Sequence, residues 1–228
     1  MEIKERFLYF CSVLTLVPFL LYHNIMKKVN WPLFVSGLKD AGVKVFSPLD
    51  IVRIFGISYR NSSAFLNYYL RKGLILKLRK GFYVLKDNVP SDFFIAGQIY
   101  QPSYISLDTA LSFYGIIPEV VYSLISITTR RTANFEILGK NFTYRKIKPK
   151  AFTGYYLKED KGESFNIAFP EKALVDYLYF SFLGKRKISD RLNLESVKTN
   201  DVLFYANLFE SDRFMSFVKI FLKENANS

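Results

Sequence analysis

The chain has 228 residues, half of them apolar, which suffices for two modest domains or one large one and excludes disorder as the default state. A single cysteine, Cys11, excludes an internal disulfide framework and a cysteine-built zinc site, and the lone His23 leaves His-based nucleophiles and His-ligated metals almost nothing to draw on. The formal net charge is +12 and unevenly spread: Met26 to Val89 carry 12 Lys or Arg against 3 Asp, whereas Pro90 to Ser228 carry 18 against 15 acidic residues. Positive excess gathered in one segment is what neutralisation of phosphates requires.

Residues 1–25 form an apolar leader. Its run Phe7 to Tyr22 is 16 residues long, short of the roughly 20 needed to span a membrane, and is interrupted by Pro18. It is also a poor signal peptide, because Glu2 and Glu5 offset Lys4 and Arg6 and no small-residue cleavage site comes after it. Three readings stand open: a start codon assigned upstream of a natural Met26, a membrane anchor, or an additional packed helix. The expected location is the cytoplasm, at the membrane if the leader is an anchor.

Asn30 to Ala41 reads as a helix, with Asn30 capping, Pro32 in the first turn and Leu33, Phe34 and Leu38 at helical spacing. Val43 to Phe46 is a short β-type run. Ser47-Pro48-Leu49-Asp50 opens a second helix with a capping serine, a proline at the first position and an acid in the first turn; its expected inner face is Leu49, Val52 and Phe55. A third helix is predicted from Ser58 to Lys72, with Phe65, Leu66, Tyr69 and Leu70 as its buried stripe. Leu74–Leu78 and Phe82–Leu85 are then two strands joined through Arg79-Lys80-Gly81, a tight basic hairpin.

This order of helices and hairpin outlines a winged helix-turn-helix over residues 26–89. In that arrangement the early residues of the third helix reach base edges in the major groove. The expected DNA contacts are therefore Tyr59, Arg60, Asn61, Ser62, Ser63, Asn67 and Arg71 on the helix, with Lys77, Arg79 and Lys80 on the wing suited to phosphates. The competing reading is a protein-docking module with an ordinary polar surface helix.

Lys86 to Ser91 reads as a linker, and residues 90–228 as a second, mixed α/β domain, for an α+β protein overall. Helices are predicted over Ser91–Tyr100, Ser106–Tyr114 and Pro170–Phe182, strands over Ser123–Thr129, Asn141–Ile147 and Ser164–Ala168, and a helical tail in two pieces from Leu194 to Lys223. Neither a GxxxxGK[ST] nor a GxGxxG pattern occurs, so no phosphate-cradling loop is expected. Glu159, Asp160 and Glu163 around Gly162 read as a solvated turn. A metal-dependent nucleic-acid enzyme, the alternative from a different class, would have to be assembled from Asp160, Glu171 and Lys172. The 39 Tyr and Phe residues fall mostly at core spacings, with Tyr155 and Tyr156 as candidates for a protein contact.

The segments LRKGLILKLRKGFYVL, SYISLDTALSFYGI (Ser103 to Ile116), ITTRR (Ile127 to Arg131) and FPEKALVDYLY (Phe169 to Tyr179), in this order, resemble the AbiEi-type antitoxins of type IV toxin–antitoxin, or abortive infection, systems of phage defence. The resemblance covers roughly Val43 to Phe182. It implies a non-enzymatic repressor that binds double-stranded DNA at its own operator, as a cooperative oligomer, and whose second domain opposes a nucleotidyltransferase-like toxin. No cofactor, metal or catalytic residue is implied. The family's motifs land on Tyr104, Ser106, Leu107, Ala110, Leu111, Tyr114, Gly115, Pro170, Glu171, Lys172, Ala173, Leu174 and Asp176. Among these the apolar positions read as packing and Pro170-Glu171 as a helix start, which leaves Ser106, Lys172 and Asp176 as candidates for antitoxin function. A stand-alone regulator without a toxin partner is the other binding-protein reading.

Overall fold

The computed structural model describes residues 29–118 and 122–225. The leader, with Phe7 to Tyr22, Cys11, His23 and Met26, lies outside the described residues. No helix among the described residues is long and apolar enough to cross a membrane. The protein is of mixed α+β class, with eight α-helices and two sheets among the described residues, and it divides into two compact units, Met1–Val43 and Lys44–Ser228.

The first unit contributes α1 (Trp31–Asp40). Asn30 caps it as expected, its Oδ1 accepting the Leu33 N–H at 3.0 Å, and Pro32 occupies the first turn, where a missing N–H costs nothing.

The second unit opens with β1 (Val45–Phe46), α2 (Pro48–Phe55), α3 (Tyr59–Arg71), β2 (Ile75–Arg79) and β3 (Phe82–Leu85). Ser47 and Asp50 form a reciprocal capping box at the start of α2. The inner face differs from the expected one: Ile51 is buried, Val52 and Phe55 are half-buried, and Leu49 is exposed, because α2 packs on α3 with Ile51 turned inward. In α3 the Ser58 Oγ accepts the Asn61 N–H, and Leu66 is the fully buried apolar residue. The three strands form an antiparallel sheet in the order β1-β3-β2, with Gly81 at φ +84° making the turn that a side chain would strain.

The remainder of this unit comprises α4 (Asp92–Ile99), β4 (Ser103–Ile105), α5 (Leu107–Phe113), β5 (Ser123–Thr128), β6 (Ala133–Ile137), β7 (Lys140–Lys146), β8 (Tyr155–Asp160), β9 (Glu163–Ala168), α6 (Pro170–Phe182), α7 (Thr199–Asn207) and α8 (Asp212–Asn225). The strands form a six-stranded mixed sheet in the order β6-β7-β5-β4-β9-β8, in which β4 pairs β9 and β5 pairs β7 in parallel. Strands β4 and β6 are not expected from the sequence; β4 has only three residues, and its pairing is made with partners 20 or more positions away.

Helix α6 is encased by α5, α7, α8 and β9, so it is buried nearly all round and shows no amphipathic stripe. The expected linker is a single 3-10 turn, Lys86–Asn88, and packing continues across it: Leu78 and Val84 of the hairpin share a hydrophobic cluster with Ile95, Ile99, Phe142 and Tyr144. The Tyr144 hydroxyl donates to the Ala96 carbonyl at 2.7 Å and seals that cluster.

Candidate functional site

The exposed face of α3 carries Tyr59, Arg60, Asn61, Asn67 and Arg71, with Ser63 half-buried. Lys77 and Lys80 stand exposed on the hairpin. Ser58 caps the N-terminus, so Arg60 and Asn61 lie at the positive end of the helix dipole, while Asn67 and Arg71 lie further along the same helix. Two expected contacts sit elsewhere. Ser62 is buried at 0 % exposure, its Oγ donating back to the Tyr59 carbonyl at 2.8 Å, because helical spacing puts it four residues from Leu66 on the inner face.

Arg79 is the other. A bulge at Leu78 shifts the register of β2, and the Arg79 guanidinium turns inward over the rings of Phe82 (5.3 Å) and Phe135 (4.5 Å) while Nη1 donates to the Ile99 carbonyl at 2.9 Å. Arg79 therefore fastens the hairpin to α4 and β6 instead of extending toward a phosphate. A second fastening joins Lys44 to the β8–β9 hairpin: its Nζ lies 3.1 Å from Glu163 Oε1, and Glu163 Oε2 accepts the Ser91 N–H at 2.9 Å. Burial pushes the Glu163 carboxyl up, but the hydrogen bonds from Ser91 and the Lys44 ammonium outweigh it and hold the group below its ordinary value. The turn read as solvated is thus anchored at Glu163.

Ser106, Lys172 and Asp176 are brought together. They meet inside the second unit, where β4 and the start of α5 face α6, and all three are at 0 % exposure. Lys172 and Asp176 are four apart on α6, and the ammonium donates directly to Asp176 Oδ1. The other carboxylate oxygen accepts from Ser106 Oγ at 2.8 Å and from the Tyr104 hydroxyl at 2.9 Å. Lys172 Nζ also lies over the Phe209 ring at 5.0 Å.

Burial pushes the Lys172 ammonium down and the Asp176 carboxyl up, each against the pull of the other's charge. Burial and the neighbouring carboxylate push the Tyr104 phenol well up, which keeps it a donor. Asp176 takes three donors, so the charge is satisfied without solvent.

This centre distorts its surroundings. Ser106 occupies the N-cap position of α5, yet its hydroxyl serves Asp176 and makes no cap bond, and Leu107 comes next at φ +51°, where a leucine is strained. Gly154, at φ +76°, passes so close that an added Cβ would lie 2.5 Å from the Tyr205 ring and 2.9 Å from Lys172 Cγ. Polar residues at helical spacing are legible in the sequence; their closure from solvent is not.

The alternative catalytic set is dispersed. Asp160 is exposed at the turn end of the β8–β9 hairpin, and the six-residue β9 separates that turn from α6. Glu171 Oε1 accepts the Lys198 N–H at 3.2 Å, and Lys172 is engaged by Asp176. Among the described residues, no group of three or more His, Cys, Asp or Glu side chains is placed to hold a metal.

A cleft of about 390 Å³ opens between α4 and the parallel β4–β9 seam, lined by Gly97, Gln101, Pro102, Ser103, Tyr155 and Asn166. No sequence signal links these residues, which come from four separate segments, although Tyr155 is among the candidates for a protein contact. No family model matches the chain, and no curated protein matches it.

Proposed function

We propose that this protein is a DNA-binding transcriptional repressor of winged-helix type, and that it acts without catalysis as the antitoxin of a type IV toxin–antitoxin pair. The observation that carries the DNA-binding part is the set of exposed Arg60, Asn61, Asn67 and Arg71 on a capped helix, with a hairpin directly after it bearing exposed Lys77 and Lys80. Arg and Asn side chains match the edges of guanine and adenine, and lysines on a hairpin suit phosphates. The expected partner is double-stranded DNA upstream of the protein's own gene.

The antitoxin part rests on the motif resemblance alone. The buried Ser106–Lys172–Asp176 centre fits a role in holding β4, α5 and α6 together, since a side chain with no solvent exposure does not itself touch a partner. Fluorescence anisotropy of the full chain on its upstream DNA and on a scrambled duplex, across a salt series, tests the repressor. Preferential binding that weakens steeply with salt supports it; equal, weak binding to both duplexes removes it. Co-expression with the product of an adjacent nucleotidyltransferase-like gene tests the antitoxin, which predicts restored growth.

A further inference from the structure

The outward side of α3 has an apolar centre. With Ser62 and Leu66 turned into the core, helical spacing leaves Arg60, Asn61, Ala64, Asn67, Tyr68 and Arg71 on the opposite side, and all six are exposed. Ala64 is the middle of that arc: Arg60 precedes it by one turn, Asn67 and Tyr68 follow it by one turn, and Arg71 follows by two. Its side chain is a single methyl group among long hydrogen-bonding ones, so the face is shallowest there.

Tyr68 supplies a second apolar surface beside it. The ring is 46 % exposed, yet it is held: it packs edge-on against Tyr69 at 4.9 Å and 86°, and the Lys72 ammonium lies 4.8 Å from its centre.

A cationic face with an apolar centre selects its partner. Phosphates would satisfy Arg60 and Arg71 but offer nothing to the Ala64 methyl group or the Tyr68 ring. Among base edges in the major groove only thymine carries an apolar group, its C5 methyl, and alanine is an established contact for it. Longer helix formers, which serve propensity nearly as well, would hold the helix backbone away from the groove floor.

We propose that Ala64, with the Tyr68 ring beside it, reads a thymine methyl group in the operator, which makes Ala64 a specificity-determining position between Arg60 and Asn67. This rests on the repressor reading above and adds the base that the centre of α3 selects.

The test is fluorescence anisotropy of the full chain on four duplexes: the upstream DNA and a scrambled sequence, each made with thymine and with uracil, which lacks only that methyl group. The wild type should bind the thymine operator about fourfold more tightly than the uracil operator for each methyl contact, the size of one buried methyl group. Ala64→Gly should remove that preference while leaving affinity for the uracil operator unchanged, the sign of direct coupling between the two methyl groups. If glycine lowers the melting temperature, Ala64→Gln decides the matter, since glutamine is a good helix former and its amide has no preference for a methyl group. Equal binding of the thymine and uracil operators, with the operator still preferred over the scrambled sequence, overturns this inference and leaves the repressor standing. A thymine preference that persists in both variants also overturns it, because the methyl groups then act elsewhere. Loss of any operator preference removes the repressor reading and this inference with it, and returns the α3 face to protein docking.

Discussion

Lys172 and Asp176 lie one helical turn apart on α6, both closed to solvent, with the ammonium donating straight to the carboxylate. Removing one member of such a pair strands a charge. Asp176→Ala should therefore destabilise the protein by about 3–5 kcal/mol in urea unfolding. Lys172→Met should cost less, because Asp176 keeps its bonds from Ser106 and Tyr104 and is free to take up a proton. The double variant Lys172→Met/Asp176→Leu should recover most of the loss; additive single effects would show that the two residues are not coupled.

Arg79 holds the β2–β3 hairpin to the larger sheet through Phe135 and the Ile99 carbonyl. Arg79→Ala should cost about 1–3 kcal/mol, the sum of one hydrogen bond and one cation–π contact. Amide exchange over Leu76 to Val84 should speed up relative to the α6 core. Arg79→Lys should not rescue it, since a compact ammonium lacks the planar face that stacks between two rings. Unchanged exchange in both variants would mean that the hairpin is held by its apolar side chains alone.

Arg60 and Lys80 should separate base reading from phosphate binding. Arg60→Ala should weaken operator binding by about 1–3 kcal/mol with little effect on random DNA. Lys80→Ala should weaken both duplexes equally and lower the salt slope by about 1. Equal losses on both duplexes for Arg60→Ala would take it off the list of reading residues.

Glu163 links acid stability to the Lys44 and Ser91 anchor. Its carboxyl titrates lower in the folded protein than in the unfolded chain, so it contributes stability above the unfolded-state value. That stability is lost as the pH falls through the lower, folded-state value. Glu163→Gln should therefore flatten the acid side of the stability profile while changing little at low pH, where the wild-type carboxyl is already protonated. Thermal melts from neutral to acid pH measure this, and parallel profiles would remove Glu163 as a contributor.

Local rules are enough for the elements that begin and end on their own chemistry. Asn30, Ser47 and Ser58 cap helices where their side chains predict, and the helix that opens at Pro170 and closes near Phe182 is readable from the chain. The same rules place exposed Arg and Asn on α3, whereas Ser106, Lys172 and Asp176 stand out only through the motif resemblance. They fail where distant segments decide. A three-residue strand such as β4 exists only because β5 and β9 flank it. Ser106 does not cap α5 because Asp176, 70 positions away, takes its hydroxyl, and Arg79 leaves the hairpin's outer face because Ile99 and Phe135 receive it. Spacing along the chain determines which face of a helix a residue occupies; whether that face meets solvent, a carboxylate or an aromatic ring is settled only when remote segments pack.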